Sequence, residues 1–93
     1  MAYHQHLVEQ VKRLPVTNPG ARLGRWMIFL DIPAAKIAKA TGATRQTVYN
    51  WMKGGEIFVA YRAAVDKTID ILSKCTTAEE AWRKLCIEFN IKT

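Results

Sequence analysis

The 93-residue sequence has few cysteines, few prolines and no long apolar run. Its two cysteines, Cys75 and Cys86, are too few for the disulfide framework of a small secreted domain. Unbroken apolar runs reach five residues, as in residues 26–30, whereas a helix that spans a bilayer needs about 20. The N-terminal residues form no apolar leader core. We therefore expect a cytoplasmic protein with no membrane partner.

Acidic residues are missing from one part of the chain. No carboxylate side chain occurs between Asp31 and Glu56. The net charge is +6, and residues 1–53 carry the whole excess, because residues 54–93 contain six basic and six acidic side chains. A basic surface of this kind attracts polyanions, and nucleic acid is the commonest of them.

The remaining composition is that of an ordinary globular protein. Hydrophobic residues make up 49% of the chain and charged residues 24%, which excludes a disordered chain. A chain of this length folds as one domain, 1–93, around a single modest core. A deep catalytic cavity is not expected in so small a core.

Apolar residues recur every three or four positions, and no segment alternates with a period of two. This spacing predicts an all-α fold, a compact bundle of five to six helices. Asn18 and Thr44 are predicted N-caps, and Thr77 with Glu80 matches a capping box. Phe29, Phe58 and Cys86 are expected on the inward sides of their helices. The predicted helices cover residues 3–14, 19–30, 34–40, 45–53, 57–74 and 78–89.

Residues 34–53 combine two short helices with a three-residue turn around Gly42. Ala38 is small where the two helices would cross, and glycine accepts the left-handed backbone that such a turn requires. This pattern resembles the helix-turn-helix unit of Cro-like and repressor-like regulators from phages and bacteria. Residues 19–30 would brace the pair, and the inward side chains would be Ile37, Val48 and Trp51.

The resemblance implies that the second helix of the pair enters the major groove of double-stranded DNA. Many members of this type begin the first helix with glutamine, whereas Ala34 stands here, so base contacts from the first helix are not expected. The positions expected to read bases are Thr44, Arg45, Gln46, Tyr49 and Asn50. The positions expected to contact phosphates are Lys36, Lys39, Lys53, Arg22 and Arg25.

The C-terminal residues 57–93 offer apolar side chains beyond those that a minimal DNA-binding unit needs. We expect a homodimer, because two-fold DNA sites are read by paired copies. The interface is expected at Trp82, Leu85 and Phe89. The favoured function is a sequence-specific transcriptional regulator, such as a small phage or bacterial repressor. Two alternatives remain open, namely a DNA-packaging or nucleoid-associated adaptor with low specificity, and a protein-binding module.

No arrangement of catalytic side chains or phosphate-binding glycine loop is present in the sequence. We therefore expect no enzymatic activity, no cofactor and no small-molecule substrate. The residues His4, His6, Cys75 and Cys86 lack the close paired spacing of zinc ligands, so a metal site is not expected either.

Overall fold

A computed structural model describes residues 3–92 of the chain. Met1, Ala2 and Thr93 belong to the predicted domain but lie outside the described residues. Residues 3–92 contain helices and no strand, so the predicted all-α fold is confirmed. No helix in this range is both long and apolar enough to cross a bilayer. The helices are α1 (Gln5–Arg13), α2 (Pro19–Leu30), α3 (Ala34–Thr41), α4 (Arg45–Met52), α5 (Val59–Ser73) and α6 (Ala78–Glu88).

Three helices begin at the predicted polar caps. The Asn18 side chain accepts a hydrogen bond from the Ala21 amide at 3.0 Å, and Pro19 occupies the first turn of α2. The hydroxyls of Thr44 and Thr77 cap α4 and α6 in the same way. The predicted capping box differs in one detail. The Glu80 carboxylate accepts from the Thr76 amide at 2.9 Å instead of returning to Thr77.

The chain before α1 packs into the core although it is not helical. Tyr3 is buried, and its hydroxyl donates a hydrogen bond to the Ile32 carbonyl. Burial raises the pKa of this hydroxyl well above its ordinary value, so it stays protonated and can donate. The first helix starts at Gln5, two residues later than predicted, because the His4 side chain caps it.

Helix α2 lies at the centre of the molecule and packs against α1, α4 and α5. Helix α3 packs against α4, α5 and α6. Helices α2 and α4 approach each other closely, since a Cβ atom on Gly20 would lie 2.1 Å from the Trp51 carbonyl oxygen. Only glycine permits this contact. The largest fully buried side chains include Leu23, Met27, Ile32, Ile37, Trp51, Met52, Leu72 and Leu85.

Three expected inward positions are wrong. The Phe29 side chain is 73% exposed, because it lies on the side of α2 that faces away from α4. Phe58 is 68% exposed in extended backbone, since α5 begins one residue later, at Val59. Cys86 is only half-buried, whereas Cys75 is buried, and this burial raises the pKa of the Cys75 thiol.

Candidate nucleic-acid interface

Helices α3 and α4 are joined by a tight turn whose backbone is fixed by hydrogen bonds. Gly42 has φ 79°, the left-handed conformation that its position was predicted to need. The amides of Gly42 and Ala43 both donate to the Ala38 carbonyl, at 2.9 and 3.1 Å. Ala38 itself is buried. The relative orientation of the two helices is therefore determined by local structure as well as by the core.

The inner side of α4 is fixed to the rest of the molecule. Val48, Trp51 and Met52 are all buried, and the Trp51 ring meets the Tyr61 ring edge-on at 5.5 Å. After the helix, the Gly55 amide donates to the Asn50 carbonyl at 2.8 Å, which closes its C-terminal end. A helix held in this way presents its outer side chains from a rigid support.

The outer side of α4 is polar and faces solvent. Thr44, Arg45, Gln46 and Asn50 are all exposed, as their predicted outward positions require. The Gln46 side-chain amide donates to the Asn50 side-chain oxygen at 3.1 Å. These two amides are therefore aligned one turn apart, and both are groups that can bond a base edge.

Tyr49 differs from its predicted neighbours on α4. Its side chain is half-buried, and its ring contacts the Tyr3 ring at 6.5 Å in an edge-to-face arrangement. Part of the ring therefore supports the segment before α1, and only the remainder is accessible to a ligand. This contact was not predictable from the sequence, because it joins residues 46 positions apart.

The cations around α4 are not neutralised by carboxylates. Within residues 3–92, the exposed side chains of Lys39, Arg45 and Lys53 form no ion pair. Glu56 lines a groove together with Lys53, so an acid does approach the C-terminal end of α4. At the N-terminal end, the first turn of α4 contains Arg45 and no acid. Ion pairs occur instead in the C-terminal half, at Lys67–Glu88, Lys74–Asp70 and Lys84–Glu80.

Three of the predicted phosphate contacts lie elsewhere. The Lys36 ammonium sits over the Trp82 ring of α6, 5.3 Å from its centroid, in a cation–π contact. Arg22 and Arg25 line grooves to which α4 contributes no residue, and the Arg25 guanidinium donates to the Leu14 carbonyl. Of the predicted phosphate contacts, Lys53 is the C-cap of α4 and Lys39 is exposed in the last turn of α3, the helix that precedes it.

The predicted dimer residues are only partly accessible. Leu85 is 0% exposed and has no surface to offer a second chain, whereas Trp82 and Phe89 are half-buried. A more exposed apolar pair, Phe58 and Val59, was not predicted, because Phe58 was expected on the inward side of α5. Gly54 and Gly55, shortly before Phe58, are the sequence feature that indicates a break in the helical pattern.

Among residues 3–92, no group of three or more His, Cys, Asp and Glu side chains is arranged to hold a metal ion. The chemistry of this surface is therefore that of cations, hydroxyls and amides on one rigid helix. No protein-family model, curated protein or solved structure matches the chain.

Proposed function

We propose that the protein is a sequence-specific DNA-binding regulator that docks α4 in the major groove of double-stranded DNA. The observation that carries the proposal is the outer side of α4, which is exposed and free of acids at its N-terminal end. Arg45 can bond guanine O6 and N7, and Gln46 or Asn50 can bond adenine N6 and N7. Lys39 and Lys53 flank these positions and can contact phosphates.

The rigid mounting of α4 supports base reading rather than loose electrostatic attraction. A base contact requires side chains held within a fraction of an ångström, which a helix fixed by Gly20 and Trp51 can provide. The Gln46–Asn50 hydrogen bond orders two of the readers before any ligand arrives. Such ordering lowers the entropy cost of binding.

We further propose that two copies bind one two-fold site, because few base contacts from a single short helix rarely give useful specificity. Trp82 and Phe89 remain candidates for the contact between copies. Phe58 and Val59 are stronger candidates, since they are 68% and 89% exposed and Phe58 shares a groove with Asn50 of α4. An interface there would set the spacing between the two docking helices directly.

Selection of bound sequences from a pool of random duplex DNA tests the proposal. We expect a recovered sequence with two-fold symmetry and a large preference for it over random DNA. A preference ratio near one with a steep salt dependence would favour a packaging or nucleoid-associated adaptor instead. Absence of DNA binding at low salt would reject both.

Variants then separate base reading from phosphate contact. Replacing Arg45 with alanine should cost about 1–3 kcal/mol of binding to the selected site and relax the preference at one base pair. Lys39→Ala should weaken binding to all sequences alike and reduce the salt slope by about one. Lys74→Ala, which removes a cation that is ion-paired on α5, is the matched control and should change neither quantity.

A further inference from the structure

The side of α2 that faces away from α4 carries an apolar groove of about 540 Å³. Gly20 and Gly24 lie on the opposite side of α2, against Trp51 and Met52 of α4. Residue 29 follows residue 20 by nine positions, which is about half a turn out of phase on an α-helix. The groove therefore lies on the far side of the molecule's central helix from the proposed DNA-docking surface. Its lining residues are Lys12, Arg22, Arg25, Trp26, Ile28 and Phe29.

The aromatic residues of this groove are only partly covered by the core, against which Trp26 packs with one part of its ring. Phe29 is 73% exposed, and the half-buried Trp26 ring meets it edge-on with centroids 5.8 Å apart. Two aromatic rings and Ile28 thus form one contiguous apolar surface in solvent. A contiguous exposed patch of this kind is typical of an interaction site, whereas a single exposed apolar side chain is not.

Cations surround the apolar surface. Lys12 of α1 and Arg22 and Arg25 of α2 line the groove, and no carboxylate lines it. The hydrogen bond from Arg25 to the Leu14 carbonyl holds one guanidinium in place at the rim. Arg22 also borders the next groove, which contains Asp66, so the uncompensated positive charge is concentrated at Lys12 and Arg25.

We propose that this groove binds an acidic amphipathic segment of a partner protein. A large apolar side chain of the partner would pack in the groove against the Trp26 and Phe29 rings, and its flanking carboxylates would pair with Lys12 and Arg25. What distinguishes this groove from the others is its lining of two aromatic rings and cations without a carboxylate. A segment that supplies both an apolar anchor and carboxylates complements the groove in shape and in charge.

Single-stranded nucleic acid fits the same surface less well. Bases stack on the open faces of aromatic rings that follow one another along a strand. Trp26 and Phe29 are instead nearly perpendicular, at 88°, so their faces do not form parallel platforms for successive bases. This geometry favours insertion of one side chain over the stacking of successive bases. Because the groove and the outer side of α4 lie on opposite sides of α2, the partner and DNA can bind together.

The test is a selection from a phage-displayed library of random 16-residue peptides, with the full chain as bait and its Phe29→Asp variant as counter-bait. Phe29 is mostly exposed, so the substitution should leave the fold intact, and circular dichroism checks this. We expect enriched peptides to combine aspartate or glutamate with a leucine or an aromatic residue. Their binding should perturb the backbone amide resonances of Trp26 and Phe29 in nuclear magnetic resonance spectra.

Matched variants then separate the contribution of the cations to peptide binding from that of the apolar surface. Phe29→Asp should weaken an enriched peptide at least about tenfold, and Lys12→Glu about three- to tenfold with a larger effect at low salt. Ile87→Asp and Arg83→Glu make the corresponding changes at exposed positions on α6, outside the groove, and should bind the peptide as the parent chain does.

Three results would overturn the proposal. The first is a selection that enriches nothing, or only peptides that Phe29→Asp binds equally well. The second is single-stranded DNA that perturbs the Trp26 and Phe29 resonances more strongly than any acidic peptide. The third is self-association of the chain that Phe29→Asp abolishes, because a second copy would then be the occupant. None of these outcomes depends on whether α4 binds duplex DNA.

Discussion

Helices α4 and α6 begin in the same way but differ in the residues that follow the cap. In each, a threonine hydroxyl accepts a hydrogen bond of 3.1 Å from the amide three residues later. The first turn of α6 then contains Glu79 and Glu80, whereas the first turn of α4 contains no acid and starts with Arg45. Carboxylates stabilise the positive end of a helix, and a cation there destabilises it.

This difference shows that the start of α6 has the sequence expected for stability, and the start of α4 does not. The same contrast holds for ion pairs, since Glu80 of α6 pairs with Lys84 while Arg45 has no carboxylate partner within residues 3–92. The first turns of α1, α2, α3 and α5 also contain no acid, so among the helices of residues 3–92 α6 is the exception. If α4 docks on DNA as proposed, the negative charge of the DNA would offset the unfavourable position of Arg45.

The largest effect should come from the contact that seats α4 on the core. Gly20→Ala places a methyl group on the Trp51 carbonyl oxygen and should destabilise the fold by about 3 kcal/mol. Urea denaturation measures it. Gly42→Ala is the control, because it meets no atom within 4 Å and costs only the strain of a positive φ, about 1 kcal/mol. Equal stability of the Gly20 variant and the parent would mean that α4 is not held by this contact.

The two threonine caps should be equal in stability but unequal in function. Thr44→Ala and Thr77→Ala each remove one cap hydrogen bond and should each lower the free energy of unfolding by about 1 kcal/mol. Only Thr44→Ala should also weaken binding to a selected DNA site. If Thr77→Ala weakens DNA binding as much at a temperature where both variants are folded, the distinction between α4 and α6 fails.

Exchanging the charges in the first turns of α4 and α6 should reverse the difference in stability between the two helix starts. Arg45→Glu places an acid at the start of α4 and should raise the free energy of unfolding by about 0.5 kcal/mol while it abolishes DNA binding. The opposite change, Glu79→Arg in α6, should lower stability by a similar amount and leave DNA binding intact. Thermal unfolding at low salt and a duplex binding titration give the two readouts. A destabilised Arg45→Glu variant would show that Arg45 has a structural partner.

Helix positions and caps were predictable from sequence because they depend on neighbours along the chain. The cap at Asn18 followed by Pro19, and the left-handed Gly42, are both local and were found. The outward positions of α4 were expected from the resemblance to helix-turn-helix regulators, and Tyr49 among them is half-buried.

Contacts between distant segments were not predictable. Tyr3 reaches Ile32 and Tyr49, and Lys36 covers Trp82, because the packing of several helices brings them together. Phe29 was misplaced for the same reason. An apolar run of five residues on α2 cannot place all its members on one side, and only the tertiary arrangement determines which of them faces solvent.

The smallest predicted effect is a loss of stability at acid pH, which should involve the N-terminal cap of α6 and not that of α4. The Thr76 amide donates to Glu80, and this hydrogen bond lowers the pKa of the carboxyl. A carboxyl whose pKa is lower in the folded state stabilises the fold above its unfolded pKa, about 4.3 for glutamate, and loses this contribution as the pH falls further. Between about pH 5 and about pH 3, the parent should therefore lose more of its free energy of unfolding than the Glu80→Gln variant does.

Glu80→Asp is the matched variant, because it keeps the charge on a side chain one methylene shorter, and its acid dependence should lie between that of the parent and that of Glu80→Gln. Identical acid dependence in the parent and both variants would contradict the assignment. Helix α4 has no carboxylate, so its cap cannot respond to acid in this range. The loss of stability in acid should therefore begin at α6 and leave the outer side of α4 ordered. Amide hydrogen exchange at about pH 3–4 measures this difference. Protection of the amides in α4 should persist after protection at the start of α6 is lost.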